Sequence, residues 1–137
     1  MKHHSLVKGD LSEAMVTAAF IAKGHCVSRP LDTTCPYDLV AEMTGKLKRI
    51  QIKTGRVRNG VVLFNTSRNP NGYDRRNYLK CKIHYFAVFV QKLNRVFLIP
   101  YADIKHLKGG ASLRLKRPKN GQSDKIRFAK QYRFHKF

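Results

Sequence analysis

The chain has 137 residues, 42% of them hydrophobic, including 8 Phe and 6 Tyr; that composition supplies a core and excludes a disordered basic tail. Its 28 Lys and Arg stand against 8 Asp and Glu, giving a formal net charge of +20 whose self-repulsion points to a polyanionic partner. No apolar run approaches the ~18 residues of a membrane span, and neither a basic amphipathic helix nor a lipidation motif is present, so nucleic acid and not a membrane is the expected polyanion.

Met1-Lys2-His3-His4 carries no apolar stretch, from which an intracellular, cytoplasmic protein is expected. Residues 10–23 read as a helix, with Asp10 as N-cap, Gly24 as stop and a buried face of Leu11, Ala14, Met15, Ala18, Ala19 and Ala22. His25–Arg29 reads as a short strand and Pro30–Pro36 as a loop. Tyr37–Met43 and Leu47–Thr54 read as two strands joined at Thr44-Gly45, and Val61–Thr66 as a fourth. Residues 67–82 are a polar, basic connection. His84–Val90 and Arg95–Ile99 form a hairpin across Lys92-Leu93-Asn94. A short helix is expected over Tyr101–Leu107, a strand over Ser112–Lys116 and a helix over Lys125–Phe137. Cys26, Cys35 and Cys81 lack CxxC spacing and read as reduced structural cysteines, not a zinc site.

The acids are unevenly placed: Asp10, Glu13, Asp32, Asp38 and Glu42 precede residue 43, and only Asp74, Asp103 and Asp124 follow. If Thr44-Gly45 is a two-residue turn, Met43 pairs with Lys46 and Asp38 lies opposite Gln51. Strand alternation then sends Ile50 and Ile52 to the core and puts Gln51 and Lys53 together on an exposed face. A carboxylate, an amide oxygen and a lysine at one end of a sheet suit phosphodiester hydrolysis. That reaction needs a cation to neutralise developing charge and to acidify the attacking water. Asp38 is the main candidate ligand, with the Ile52 carbonyl and the Gln51 amide oxygen beside it, and Lys53 orients water or stabilises charge. Gln51 brings no charge, so a second carboxylate is required, and Glu13 is the best placed. Each residue also has a plain reading. Asp10-x-x-Glu13 fits a capping box, Asp38 fits a surface aspartate, and Gln-x-Lys is ordinary on an exposed strand.

In order, Glu13, Pro36-Tyr37-Asp38 and Gln51-Ile52-Lys53 resemble the PD-(D/E)XK nuclease superfamily. Lys8 to Ala14, Tyr37 to Val40, Ile50 to Arg56, Ile83 to Val88 and Val96 to Pro100 resemble its group I intron-encoded homing endonuclease branch, of cyanobacterial type. The resemblance covers roughly residues 8–130. It implies an α/β (α+β) fold, a central mixed sheet flanked by helices, forming a single domain over 1–137. The core would span about 8–100 and a basic DNA-contacting extension about 101–137. It also implies an endonuclease that cuts double-stranded DNA with magnesium, or manganese, and leaves 5′-phosphate ends. Gln51 departs from the superfamily's usual acid but is a recurring variant in that branch.

DNA contacts are expected from Arg56, Arg58, Asn65, Arg68, Asn69, Asn71, Arg75, Arg76 and Lys80, with amides reading bases and the basic side chains holding phosphates. Arg114, Lys116, Arg117 and Lys119 are the expected backbone clamp. One such site cuts one strand, so a dimer or a dimer-of-dimers tetramer is expected, and the apolar Phe86, Val88, Phe89, Phe97 and Leu98 have the surface for an interface or a core. Two other readings remain: a structure-selective nuclease such as a Holliday-junction resolvase, and a catalytically silent basic DNA- or RNA-binding protein.

Overall fold

The computed structural model of the protein describes residues 3–66, 83–107, 109–121 and 126–137. Helix α1 (His4–Ala22) precedes a six-stranded sheet in the order β1 (Val27–Ser28), β2 (Leu39–Met43), β3 (Lys46–Thr54), β6 (Tyr85–Val90), β7 (Arg95–Pro100) and β9 (Arg133–Lys136). A second sheet holds β4 (Arg56–Arg58), β5 (Val61–Asn65) and β8 (Gly110–Arg114). Helix α2 (Tyr101–Ile104) follows β7. Strands β3 and β6 run parallel, and the other pairs are antiparallel. The mixed α+β architecture is the one the sequence implied.

Two tight turns set the registers. Thr44 (φ 51°) and Gly45 (φ 74°) both lie in the left-handed region, the geometry of a two-residue turn whose twist matches its strands. Met43 therefore pairs with Lys46 and Leu39 with Ile50, as expected. Asn59 (φ 51°) and Gly60 (φ 73°) repeat this device and pair Arg58 with Val61, creating β4, which the sequence reading left out.

Helix α1 begins at His4, well before residue 10, so Asp10 is a mid-helix residue and not the N-cap. The added turns bury little: Leu6 and Val7 are 62% and 46% exposed, and no apolar stripe announces them. The buried face is also rotated from the expected one. Ser12, Val16, Ala19 and Phe20 are buried, whereas Ala14, Ala18 and Ala22 are exposed. Large side chains gain more from burial than alanines, and Val16 and Phe20 win the core. The C-terminal segment is a 3₁₀ turn (Ala129–Tyr132) followed by β9, not a helix. Pairing with β7 decides that outcome.

Both faces of the first sheet are covered. Val16, Ala19 and Phe20 of α1 pack on Leu39, Ala41, Ile50, Ile52, Ala87 and Phe89. On the other side Val62, Phe64 and Leu113 of the second sheet pack on Phe86, Val88, Val90, Phe97 and Ile99. The continuous apolar run of β6 follows from this double burial. Phe86, Val88, Phe89 and Phe97 are therefore core residues, and only Leu98 of the expected interface set keeps partial exposure.

The corner between the sheets is Gly55, whose N–H donates to the Phe89 carbonyl at 2.9 Å. A Cβ there would stand 2.7 Å from Val88 Cγ1 and 2.9 Å from Val90 Cγ2. At the opposite end of β6, His84 Nδ1 accepts the Arg49 N–H at 2.9 Å. Burial first, then the charges of Lys48 and Arg49, hold this imidazole below its ordinary pKa. Gly55→Ala should lower unfolding free energy by about 1–3 kcal/mol through overpacking, read as a lower denaturant midpoint at constant slope. The neutral His84 is the folded form, so its stabilisation is complete above the unfolded imidazole pKa and fades as pH falls below it. Wild type should lose more stability than His84→Asn between pH 7 and pH 5, and equal losses would reject this role for the ring.

Candidate active site

The site forms where β2 and β3 begin to separate. Asp38 N–H donates to the Ile50 carbonyl at 2.9 Å, extending the hairpin ladder one pair beyond β2 and setting Asp38 opposite Gln51. The Asp38 carboxylate turns back onto β3. Its Oδ2 accepts the Ile52 N–H at 2.8 Å and the Gln51 side-chain Nε2–H at 2.8 Å. The loop leading to Asp38 is itself fixed, because Asp32 Oδ1 accepts from the Thr34 N–H at 2.8 Å and its hydroxyl at 2.7 Å.

Gln51 departs from expectation in one respect. It is 5% exposed, not on an open face, because the second sheet covers that side of β3. Its Oε1 is buried without a hydrogen-bond partner among the described residues. Lys53, two residues on, is half-buried.

Glu13 comes to this cluster from α1. Burial first, then the nearby Asp38 carboxylate, raises its pKa, and Arg29 opposes the rise. Arg29 Nη1 stands 3.5 Å from Glu13 Oε2, while Nη2 donates to the Thr17 hydroxyl at 3.2 Å. The sequence reading did not single out Arg29, nor the link that places the helix. Ser12, 1% exposed, meets the Thr54 hydroxyl at 2.7 Å. That bond joins the neighbours of Glu13 and Lys53, fixing the two elements side by side. A lone serine among the apolar residues of a buried helix face was the available clue.

Glu13, Asp38 and the Gln51 amide thus converge, and Ile52 lies within their frame. Two carboxylates close enough to raise one pKa, beside a buried amide oxygen lacking a donor, suit a hard divalent cation. Among the described residues no group of three or more His, Cys, Asp or Glu side chains is placed to hold a metal ion.

Of the expected DNA contacts, Arg56 and Arg58 are exposed on β4, Asn65 on β5, and Arg114 is half-buried on β8. Lys116, Arg117 and Lys119 follow β8 and are exposed. Arg68, Asn69, Asn71, Arg75, Arg76 and Lys80 lie outside the described residues. No helix among the described residues is long and apolar enough to cross a membrane.

Residues 3–135 match the PD-(D/E)XK endonuclease family. A solved structure of a bacterial homing endonuclease, I-Ssp6803I, is similar to this fold, with a TM-score of 0.69 and 21% sequence identity over 97% of this chain and 88% of that one. No curated protein sequence matches.

The hydrogen bond from Gln51 to Asp38 gives a test without catalysis. Gln51→Glu replaces a donor with a second buried carboxylate, and the metal-free variant should lose about 1.5–3 kcal/mol of stability. Magnesium should restore more stability to the variant than it adds to wild type. Thermal unfolding with chelator and with magnesium checks both halves.

Proposed function

Because the chain belongs to the PD-(D/E)XK endonuclease family, and is therefore a phosphodiester-cleaving enzyme, we propose that it is a site-specific DNA endonuclease of the group I intron-homing type. The observation that carries the proposal is the Asp38 carboxylate held on Gln51 and Ile52 at 2.8 Å, at the end of a strand that runs directly into a basic sheet. The likeness to a homing endonuclease supports the choice of branch.

Enzymes of this family use divalent metal ions, and here magnesium, or manganese in its place, would be held by Glu13 and Asp38 with the Gln51 amide oxygen and the Ile52 carbonyl. The bound ion supplies charge neutralisation and an acidified water. The protein's own part is positioning. The Ile52 N–H and the Gln51 amide hold Asp38 in one orientation. The Ser12–Thr54 bond keeps Glu13 on the helix opposite Lys53 on the strand. Lys53 orients the attacking water and stabilises negative charge on the phosphate.

The substrate is double-stranded DNA. The outer face of the second sheet supports this reading. Arg56, Leu63 and Ser112 form one cross-strand row, Arg58, Val61 and Arg114 a second, and Asn65 pairs with Gly110. A concavity of about 470 Å³ on this face is lined by Arg56, Leu63, Asn65, Ser112 and Arg127. A three-stranded antiparallel face with guanidinium and amide groups suits the major groove. Arg68, Asn69, Asn71, Arg75, Arg76 and Lys80 extend the same recognition, and Lys116, Arg117 and Lys119 clamp the backbone. Cutting both strands requires two sites, so the active species is a dimer or a dimer-of-dimers tetramer.

The test is magnesium-dependent cleavage of a long, diverse DNA library with the ends sequenced. Discrete recurrent cuts are expected, reduced at least about 10²-fold in Lys53→Ala and in Asp38→Asn, with DNA binding retained. Full residual cutting in either variant would remove that residue from the mechanism. Cutting of branched DNA regardless of sequence would indicate a junction resolvase instead. Salt-sensitive binding without any metal-dependent cut would mark a silent binding protein.

A further inference from the structure

We infer a second phosphate-binding site, separate from the Asp38 cluster, that grips the DNA backbone beside the cleaved bond; the inference rests on the DNA endonuclease reading above. It is a concavity of about 470 Å³ lined by Ser5, Lys8, Thr54, Arg56, Gln91 and Lys92, with no carboxylate in its wall. Lys8, Arg56 and Lys92 are exposed, and none of them makes an ion pair among the described residues.

Three separate elements bring these cations together. The pocket lies off the carboxyl ends of β3 and β6, the parallel strand pair, where Thr54 is level with Phe89. Arg56 arrives because Gly55 allows β3 to turn into β4. Lys92 sits on the 3₁₀ turn that follows β6. Lys8 comes from the early turns of α1, the part of the helix that adds little to the core. Ser5, Lys8, Ser12, Val16 and Ala19 are spaced three and four apart and share one face of α1. Over the sheet that face is buried, at Ser12, Val16 and Ala19. Past the end of β3 the same face becomes Lys8 and Ser5 and looks over the pocket. The extension of α1 thus has a physical use that packing does not give it.

The ligand class follows from the wall. Gly55, Val57 and Val90 form its apolar floor, and the two lysine ammonium groups, the guanidinium and the hydroxyl and amide donors around it suit a phosphodiester oxygen. Thr54, which lines the pocket, directly follows Lys53 on β3, so the pocket adjoins the end of the strand that carries Lys53. A phosphate held there fixes the strand's position without reading its sequence.

The experiment measures binding of the full chain to duplex DNA over a range of salt concentrations, for wild type, Lys8→Ala, Lys92→Ala and the double variant. Lys46→Ala, at the opposite end of β3, is the control. Each single substitution should reduce the slope of log affinity against log salt by about 0.9 and the double by about 1.8, with the control unchanged. Lys92→Arg should keep the wild-type slope, which separates loss of charge from loss of fold. The cut positions in the library should be the same in all variants. A wild-type slope in the double variant would overturn the inference while leaving the endonuclease reading intact, and altered cut positions would overturn it by making the pocket a base reader. Wild-type protein with no salt-dependent DNA binding would overturn both.

Discussion

The close approach at Gly55 is the constraint on which the rest of the molecule turns. The residue sits against Val88 and Val90, where a Cβ has no room, and its N–H completes the ladder to Phe89. Because the chain can pass there, β3 leaves the first sheet and continues as β4 of the second without a connecting loop. The second sheet is then laid over the face of β3 that carries Gln51. One strand thereby contributes to the helix-side core through Ile50 and Ile52, to the proposed active site through Gln51 and Lys53, and to the basic sheet through its continuation. The surface proposed to face DNA and the groups proposed to hydrolyse it are thus joined by a few residues of backbone.

Burial of Gln51 changes what an amide means at this position. A carboxylate in its place would face Asp38 across hydrogen-bond distance inside a covered site, and a shared proton or a bound cation would have to reconcile the two. The amide supplies a donor to Asp38 and so orders the cluster in the absence of metal. Its oxygen, left without a donor, retains the ability to face a cation or its water. On the proposed reading, the charge of a bound metal would be balanced mainly by Asp38 and Glu13. Glu13 is available for that because its present partner holds on by other means: Arg29 also reaches the Thr17 hydroxyl and the Glu13 carbonyl, so the carboxylate can turn away without stranding the guanidinium. An ion pair at this exposure is worth little and is easily exchanged.

The parts of this structure that were legible in the sequence are those fixed by local chemistry. Thr44-Gly45 set the hairpin register, and with it the opposition of Asp38 and Gln51, before any tertiary contact was known. The hairpin of β6 and β7 and the chain order of Glu13, Asp38 and Lys53 were readable for the same reason. Asn59-Gly60 carried an equally strong turn signature for β4 and was passed over because Arg56 and Arg58 before it were read only as DNA contacts. The burial of Gln51 was not legible, since it depends on β5 and β8, which are distant in sequence. Nor was β9. A run of alternating basic and aromatic residues becomes an edge strand only because β7 offers it a partner. The start of α1 was hidden because its first turns bury almost nothing, so hydrophobic periodicity had no purchase on them.

That last omission bears on how a chain with net charge +20 remains folded. Among the described residues no charged side chain is buried in the cores on the two sides of the first sheet, so repulsion there is confined to side chains that water can screen. Within that surface the positive charge is ordered. The first sheet's helix-side core stays apolar until the end of β3, where the same helix face turns polar at Ser12 and then basic at Lys8. The second sheet places Arg56 and Arg58 on alternate positions of one short strand, both pointing away from the core. Repulsion among such neighbours raises the energy of the free protein, and the energy is released when phosphates take the place of counterions. The acids concentrate instead in the first third of the chain, where Glu13 and Asp38 meet. A positive surface with a small negative centre attracts a polyanion everywhere except where a cation is needed to complete the site, and that division of charge is what a metal-dependent phosphodiesterase requires of its fold.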